Sequence, residues 1–231
     1  MSLDQRASGP ERMDAEDLDP EVYARVLADL AQVNALTLAR RPTINFIARA
    51  LGDRRSFRLL DVGFGHGDML RTIARWARRR GIAADLVGVD LNPHSAPAAY
   101  AATPPDWAID YRTGDYAAFA GEGFDLIVSS IVAHHMSDDQ LRTFLRFMEA
   151  EAALGWLVND LHRHRFAHIG FPILARLMRW HEIVRSDGQL SIARSFRAAE
   201  WRAILAEAGI APDAAHIVRR FPFRLCVERI R

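Results

Sequence analysis

Lysine is absent from this 231-residue chain, and its 30 basic side chains other than histidine are all arginine. Schiff-base chemistry and the lysine-dependent phosphate loop are therefore excluded. A lone cysteine, Cys226, rules out an intrachain disulfide and a cysteine-rich zinc site. No apolar run reaches the length of a transmembrane helix, about 18 residues, so no membrane span is expected. Residues 1–20 are polar and acidic without an apolar segment, which leads to an expected cytoplasmic location. An excess of one charge is missing too, with 29 acids against 30 bases and a formal net charge of +1. That balance offers nucleic acid no global attraction, so no nucleic-acid partner is expected. The run Arg78-Arg79-Arg80 follows Arg71 and Arg75 on one helix face and reads as solvated surface.

Half of the residues are hydrophobic, enough for one large α/β domain and too few for two full-sized ones. Residues 1–19 read as a loose, disordered tail, and residues 20–231 as the single domain. Asp19 and Pro20 form a helix start, and apolar residues at helical spacing continue to Leu51, interrupted by Pro42. From Arg58 strands alternate with helices. Strands are expected at residues 59–62, 86–90, 109–113, 124–129 and 156–159. Helices are expected at 69–80, at 95–102, and from the capping box Ser137-Asp138-Asp139-Gln140 to about Ala152. Residues 160–196 break the rhythm, with one helix over about 171–180 and a loop around Ser186-Asp187-Gly188. A helix over 198–208 follows, stopped by Gly209. Strands at 216–221 and 223–230, too close for a crossover helix, should pair antiparallel at the sheet edge. The sum is a Rossmann-like, doubly wound, seven-stranded, mostly parallel sheet with an antiparallel C-terminal hairpin strand. N-terminal helices (20–51) and a helical insertion after the fifth strand (160–196) are added to it.

The sharpest local signal is Asp61-Val62-Gly63-Phe64-Gly65-His66-Gly67, where a strand turns into a helix. Glycines there permit a tight turn and close approach of a ligand to the backbone. Asp90 ends the next strand, placed to accept from two ribose hydroxyls. A dinucleotide fingerprint starting at Gly63 would need glycine or alanine at position 68, where Asp68 stands. The G-x-G-x-G run behind an acid suits a ligand without a pyrophosphate.

These residues belong to four ordered blocks, LLDVGFGHG, LVGVDLNP, YRTGDYAAF and FDLIVSSIVAHHM. Through them, residues 57–141 resemble class I S-adenosylmethionine (SAM)-dependent methyltransferases. The closer likeness is to the ubiquinone/menaquinone C-methylase-like group, and within it to small methyltransferases associated with type III polyketide synthases. The resemblance implies that SAM is the cofactor and S-adenosylhomocysteine (SAH) its product. It implies that Gly63, Gly65 and Gly67, with Phe64 between them, line the methionine and ribose part, and that Asp61 orients the methionine ammonium. Asp90 would hold the ribose hydroxyls and Leu91 would pack on the adenine. Asp115, beside Tyr116, would accept from the adenine amino group, although Asp115 also reads as a turn residue. Ser130 and Ile131 would meet the methionine end through their backbone.

Methyl transfer asks mainly for an acceptor held in line, and a phenol or enol acceptor must also lose a proton. His134 and His135 follow the fourth strand at its carboxyl edge and are the candidate bases; a structural role for the pair is the alternative. Asn159 and Asp160 end the fifth strand, and Asp160 is the third catalytic candidate. His164 and His168 have i, i+4 spacing but no accompanying carboxylate pair, and read as a polar helix start. Metal-dependent relatives carry an acid at the end of the fourth strand, where this chain has Ser129 and Ser130, so no metal is expected. Phe166, Phe171, Ile173, Leu174, Leu177, Met178, Trp180 and Phe196 in the insertion suggest a cover for an apolar acceptor, or simple packing onto the sheet. The expected activity is metal-independent O-methylation of a small phenolic, polyketide-like or quinol-like acceptor. Alternatives are C-methylation of a quinone-type precursor, a nucleic-acid or protein methyltransferase, and a non-catalytic SAM-binding protein. The oligomeric state is not legible.

Overall fold

The computed structural model describes residues 3–15 and 17–231; residues 1, 2 and 16 of the expected tail lie outside the described residues. Five strands run parallel: β1 (Ser56–Val62), β2 (Ala83–Asp90), β3 (Ile109–Thr113), β4 (Phe124–Ser130) and β5 (Ala152–Leu161). With β6 (His216–Arg220) and β7 (Arg224–Ile230) they form one sheet in the order β3-β2-β1-β4-β5-β7-β6. β7 runs antiparallel to both neighbours, so it sits inside the sheet and β6 takes the edge. The expected doubly wound, mostly parallel sheet is thus present.

Strand alternation sorts the core into two layers. Leu60, Ile127, Trp156 and Val158 face α5 (Asp138–Glu151) and α8 (Ala198–Glu207). Leu59, Leu126, Val128 and Leu157 face α2 (Arg41–Leu51) and α3 (Asp68–Arg80). α4 (Ser95–Ala101) follows β2. Burial on both faces is why these strands read as near-continuous apolar runs. A third, smaller cluster joins α1 (Pro20–Leu36), α6 (Arg165–Leu177) and α7 (Glu182–Arg194), and these helices roof the carboxyl edge of the sheet.

Local signals behave as their chemistry demands. The Asp19 carboxylate accepts from the Glu21 and Val22 amides at the start of α1. Ser137 and Gln140 close a reciprocal capping box on α5. The insertion differs from its sequence reading, because Ser186-Asp187-Gly188 lies inside α7 instead of in a loop. Gly188 serves close packing, since a Cβ there would run into the ring of Phe171 on α6. The tail differs as well. Residues 3–15 are laid along α7: the Ala7 amide donates to the Ala193 carbonyl, Arg6 to the Arg194 carbonyl, and Glu11 is buried. Composition reads such a segment as loose because its contacts are polar and pair residues about 180 positions apart.

Candidate active site

The turn after β1 is built from left-handed backbone, with φ of 76° at Gly63, 51° at Gly65 and 74° at Gly67. A Cβ at Gly63 would strike Val132, and one at Gly67 would meet the Tyr111 ring, so the turn admits no larger residue. Asp61, one residue before the strand's end, is 1% exposed, and its Oδ1 has no hydrogen-bond partner among the described residues. Burial, reinforced by the carboxylates of Asp68 and Asp90, pushes its pKa up to about 8. A buried carboxyl without donors is a ready partner for a cationic group. Asp90 accepts the Gly65 and Asn92 amides, each at 2.9 Å, which ties the glycine turn to the end of β2. Burial raises the Asp90 pKa, against those amides.

Asp61, Gly63, Phe64, Gly65, Asp90, Leu91, Asp115, Tyr116, Ser130 and Ile131 all line one cavity of about 430 Å³. That lies in the range of about 300–1,000 Å³ usual for small-ligand sites. Gly67, expected to line the site, does not line the cavity and is instead the N-cap of α3. Leu91 is 75% exposed at the rim, an apolar surface with nothing packed over it. Asp115 accepts the Ala117 amide at 2.8 Å and so also forms the turn that the sequence allowed. Ile131, a β-branched residue, sits at φ 61°, a strained conformation. Its N–H is committed to the Asn159 carbonyl at 2.9 Å, leaving its carbonyl and side chain for any ligand.

The same cavity is walled by Tyr23, Val26, Leu27 and Leu30 of α1, Ile183 and Val184 of α7, and the histidine pair, with Leu27 against Gly65 and the Tyr23 hydroxyl 3.0 Å from Ser95. His134 is buried; its Nδ1 lies 2.8 Å from Asp160 Oδ1 and its amide donates to Oδ2. An ionised carboxylate only accepts, so Nδ1 of His134 donates to Asp160. Burial alone would raise the Asp160 pKa, but the bonds and charge of His134 hold it below the ordinary value. His135 Nδ1 lies 3.2 Å from Asp14. Burial disfavours the charged form of His135, yet Asp14 and Glu11 carry its pKa above the ordinary value.

Asp160 does not line the cavity, and acts on it through His134. Asn159 is structural, its amide bonding the Ala39 carbonyl and Thr43 hydroxyl at the start of α2. His164 caps α6 by accepting from the Phe166 amide, well away from the histidine pair in the cluster that could hold an ion. The proposed apolar cover fares differently from its sequence reading: Phe166, Ile173, Leu177 and Met178 are exposed on the outer side of α6, and none lines the cavity. Apolar lining comes from α1 and the start of α7. Sequence reasoning missed Glu11, Asp14, Tyr23 and Asp187, all cavity-lining; nothing local marks Glu11 and Asp14 as acids that meet His134 and His135 far along the chain.

Residues 59–151 match the family described as a methyltransferase domain. That segment, which resembles a methyltransferase domain, lies within a Rossmann-like sheet. Over 87 residues the chain is 37% identical to a ubiquinone biosynthesis O-methyltransferase of Cereibacter sphaeroides, covering 36% of this chain and 33% of that protein. Over 102 residues it is 36% identical to the Azorhizobium caulinodans protein of the same name, covering 43% and 37%. The matched segment thus spans about a third of the curated relatives' length. Among solved structures, the plantazolicin methyltransferase with SAH superposes at a TM-score of 0.66, 12% identity, covering 90% of each chain. The magnesium protoporphyrin IX methyltransferase of Synechocystis with SAH gives 0.55 at 14% identity, covering 95% and 91%. At such identities the likeness is one of fold. Among the described residues, no helix is long and apolar enough to cross a membrane.

Proposed function

We propose that this protein transfers the methyl group of SAM to a hydroxyl of a small, largely apolar acceptor of phenolic, polyketide or quinol type. One observation carries the reading: a single cavity is lined both by a donor-starved carboxyl with a glycine turn and by two carboxylate-backed imidazoles. Asp61 binds the ammonium of the cofactor, Asp90 the ribose hydroxyls through its remaining lone pairs, and Asp115 the adenine amino group. Leu91 supplies an apolar face for the base, and Gly63 and Gly65 let the backbone come close. When bound, SAM supplies a methyl on positively charged sulfur, already activated for displacement.

The protein's own work is then orientation and handling of one proton. Val26, Leu30 and Val184 hold the acceptor body and exclude water. His134 and His135 face the hydroxyl and lower the cost of ionising it, while Asp160 fixes the ring of His134 from behind. Orientation of this kind is worth effective molarities of about 10⁵–10⁸ M. The relatives' printed names support oxygen as the attacking atom. The reading extends to a cytoplasmic protein without a nucleic-acid partner, the latter supported by its near-balanced charge.

The test is purified protein with methyl-labelled SAM against a panel of phenols, resorcinols and quinols, products being identified by mass and NMR. Label in a methoxy group is expected. Label on ring carbon would replace O- by C-methylation. Tight SAH binding without transfer to any member, or tighter binding of NAD than of SAH, would overturn the proposal.

A further inference from the structure

Where residues 3–15 cross the carboxyl edge of the sheet, Glu11 comes between the two imidazoles. His134 Nε2 lies 3.7 Å from one Glu11 carboxylate oxygen and His135 Nε2 lies 3.7 Å from the other. One ligating atom from each of the three residues falls within 4.8 Å of the others. We propose that Glu11, His134 and His135 bind a divalent cation of the zinc class in the cavity.

The distances fit this better than they fit hydrogen bonds, whose donor–acceptor separation ends near about 3.2 Å. Metal bonds of about 2.0–2.2 Å at tetrahedral angles set neighbouring ligand atoms about 3.4 Å apart, so closure on an ion needs only small shifts. The second observation is independent. His134 Nε2 is buried and has no hydrogen-bond partner among the described residues. The third lies behind the ligands. Asp160 holds Nδ1 of His134 at 2.8 Å and Asp14 holds Nδ1 of His135 at 3.2 Å, which leaves the Nε2 atom of each ring beside Glu11. Carboxylate–histidine–metal sites are arranged in this way.

Charge agrees. The carboxylates of Glu11, Asp14 and Asp160 contact the imidazoles directly, and Arg194 Nη1 stands 3.6 Å from Glu11. Arg6, the next guanidinium, pairs with Asp138 instead. Three carboxylates thus face one guanidinium, an acidic surrounding that favours a bound cation. Two nitrogens and one carboxylate suit zinc or cobalt over magnesium, which prefers an all-oxygen shell. Three protein ligands leave a position open, and since all three residues line the cavity an acceptor oxygen can take it. The site's role rests on the methyltransferase reading; its existence does not. It also departs from the metal-free expectation, which looked for an acid at the end of the fourth strand, whereas the carboxylate here comes from residue 11.

The experiment uses the full chain, stripped with EDTA and dialysed. Zinc affinity is measured by competition with a chromophoric chelator, cobalt by its visible absorption, and SAH binding by calorimetry. One equivalent of each metal is expected, with cobalt bands of a four- or five-coordinate site. Glu11→Gln and His135→Ala should each weaken zinc at least a hundredfold while SAH affinity stays within threefold, which shows the variants are folded. Asp160→Asn should weaken zinc about 10–100-fold, as loss of an outer carboxylate does. SAH binding without stoichiometric metal, or equal zinc affinity in wild type and Glu11→Gln, overturns the site and leaves the methyltransferase reading standing. Metal binding without SAH binding does the reverse.

Discussion

Asp61 and Asp90 divide the work of holding a cofactor, and their environments make that division measurable. For Asp61 the folded-state pKa of about 8 lies well above the ordinary carboxylate range, so the native chain binds one more proton than the unfolded chain between about pH 4 and about pH 8. Its effect on stability is therefore unfavourable once ionised and grows as pH rises from about 4 to about 8. Asp61→Asn should remove that slope, giving a melting temperature at pH 8 above wild type by about 4 °C or more. At pH 5 the two proteins should melt closer together. Parallel melts at both pH values, without gain at pH 8, would place the buried proton elsewhere. Asp90→Ala removes charge-assisted bonds worth about 1.5–3 kcal/mol each. SAH affinity should fall by about a hundredfold or more, read by calorimetry. His134→Ala should leave SAH affinity within threefold and cut turnover by about 10²–10⁴, the usual cost of losing a group that handles the acceptor proton.

The elements show which signals survive the passage from sequence to structure. The glycine turn, the Asp19 cap and the Ser137 capping box are contacts within a few residues, and they were legible because local chemistry settles them. Gly188 was misread for the converse reason: a glycine flanked by Ser and Asp has turn chemistry, while its actual constraint is the Phe171 ring on another helix. Magnitudes decide the outcome of Gly188→Ala. Helix propensity would gain about 1 kcal/mol, whereas forcing an extra carbon into a packed contact costs about 1–3 kcal/mol. The variant should melt lower by about 2–4 °C, although alanine is the better helix former. A higher melting temperature would show that Phe171 has room to turn aside. Apolar residues of α6 were likewise left between an acceptor cover and packing onto the sheet, because helical spacing cannot say which of two faces is inward.

At the scale of the molecule, the class of fold and five parallel strands follow from alternation, and so does the placing of ligands at the carboxyl edge. The roof was only half legible. α1 and α7 could be expected as helices, but the strap of residues 3–15 depends on Arg6, Glu11 and Met13 meeting α7, contacts with no counterpart in periodicity. A chain lacking residues 1–14 keeps both sheet-facing core layers intact and should fold. It should bind SAH nearly as well as wild type and lose most of its turnover, since the cavity loses Glu11 and Asp14. Unchanged turnover would show that the strap is a passive cover.

The reversed direction of β7 has a practical result. Gly155 at the start of β5 pairs with Ile230, and the Arg231 amide bonds the Leu154 carbonyl. The last residue therefore emerges at the amino ends of the parallel strands, across the full height of the sheet from the cavity. Fluorophores, affinity handles or fusion partners attached there stay clear of traffic into the cavity. The same attachments at the front of the chain would sit beside the strap and compete with whatever the strap closes upon.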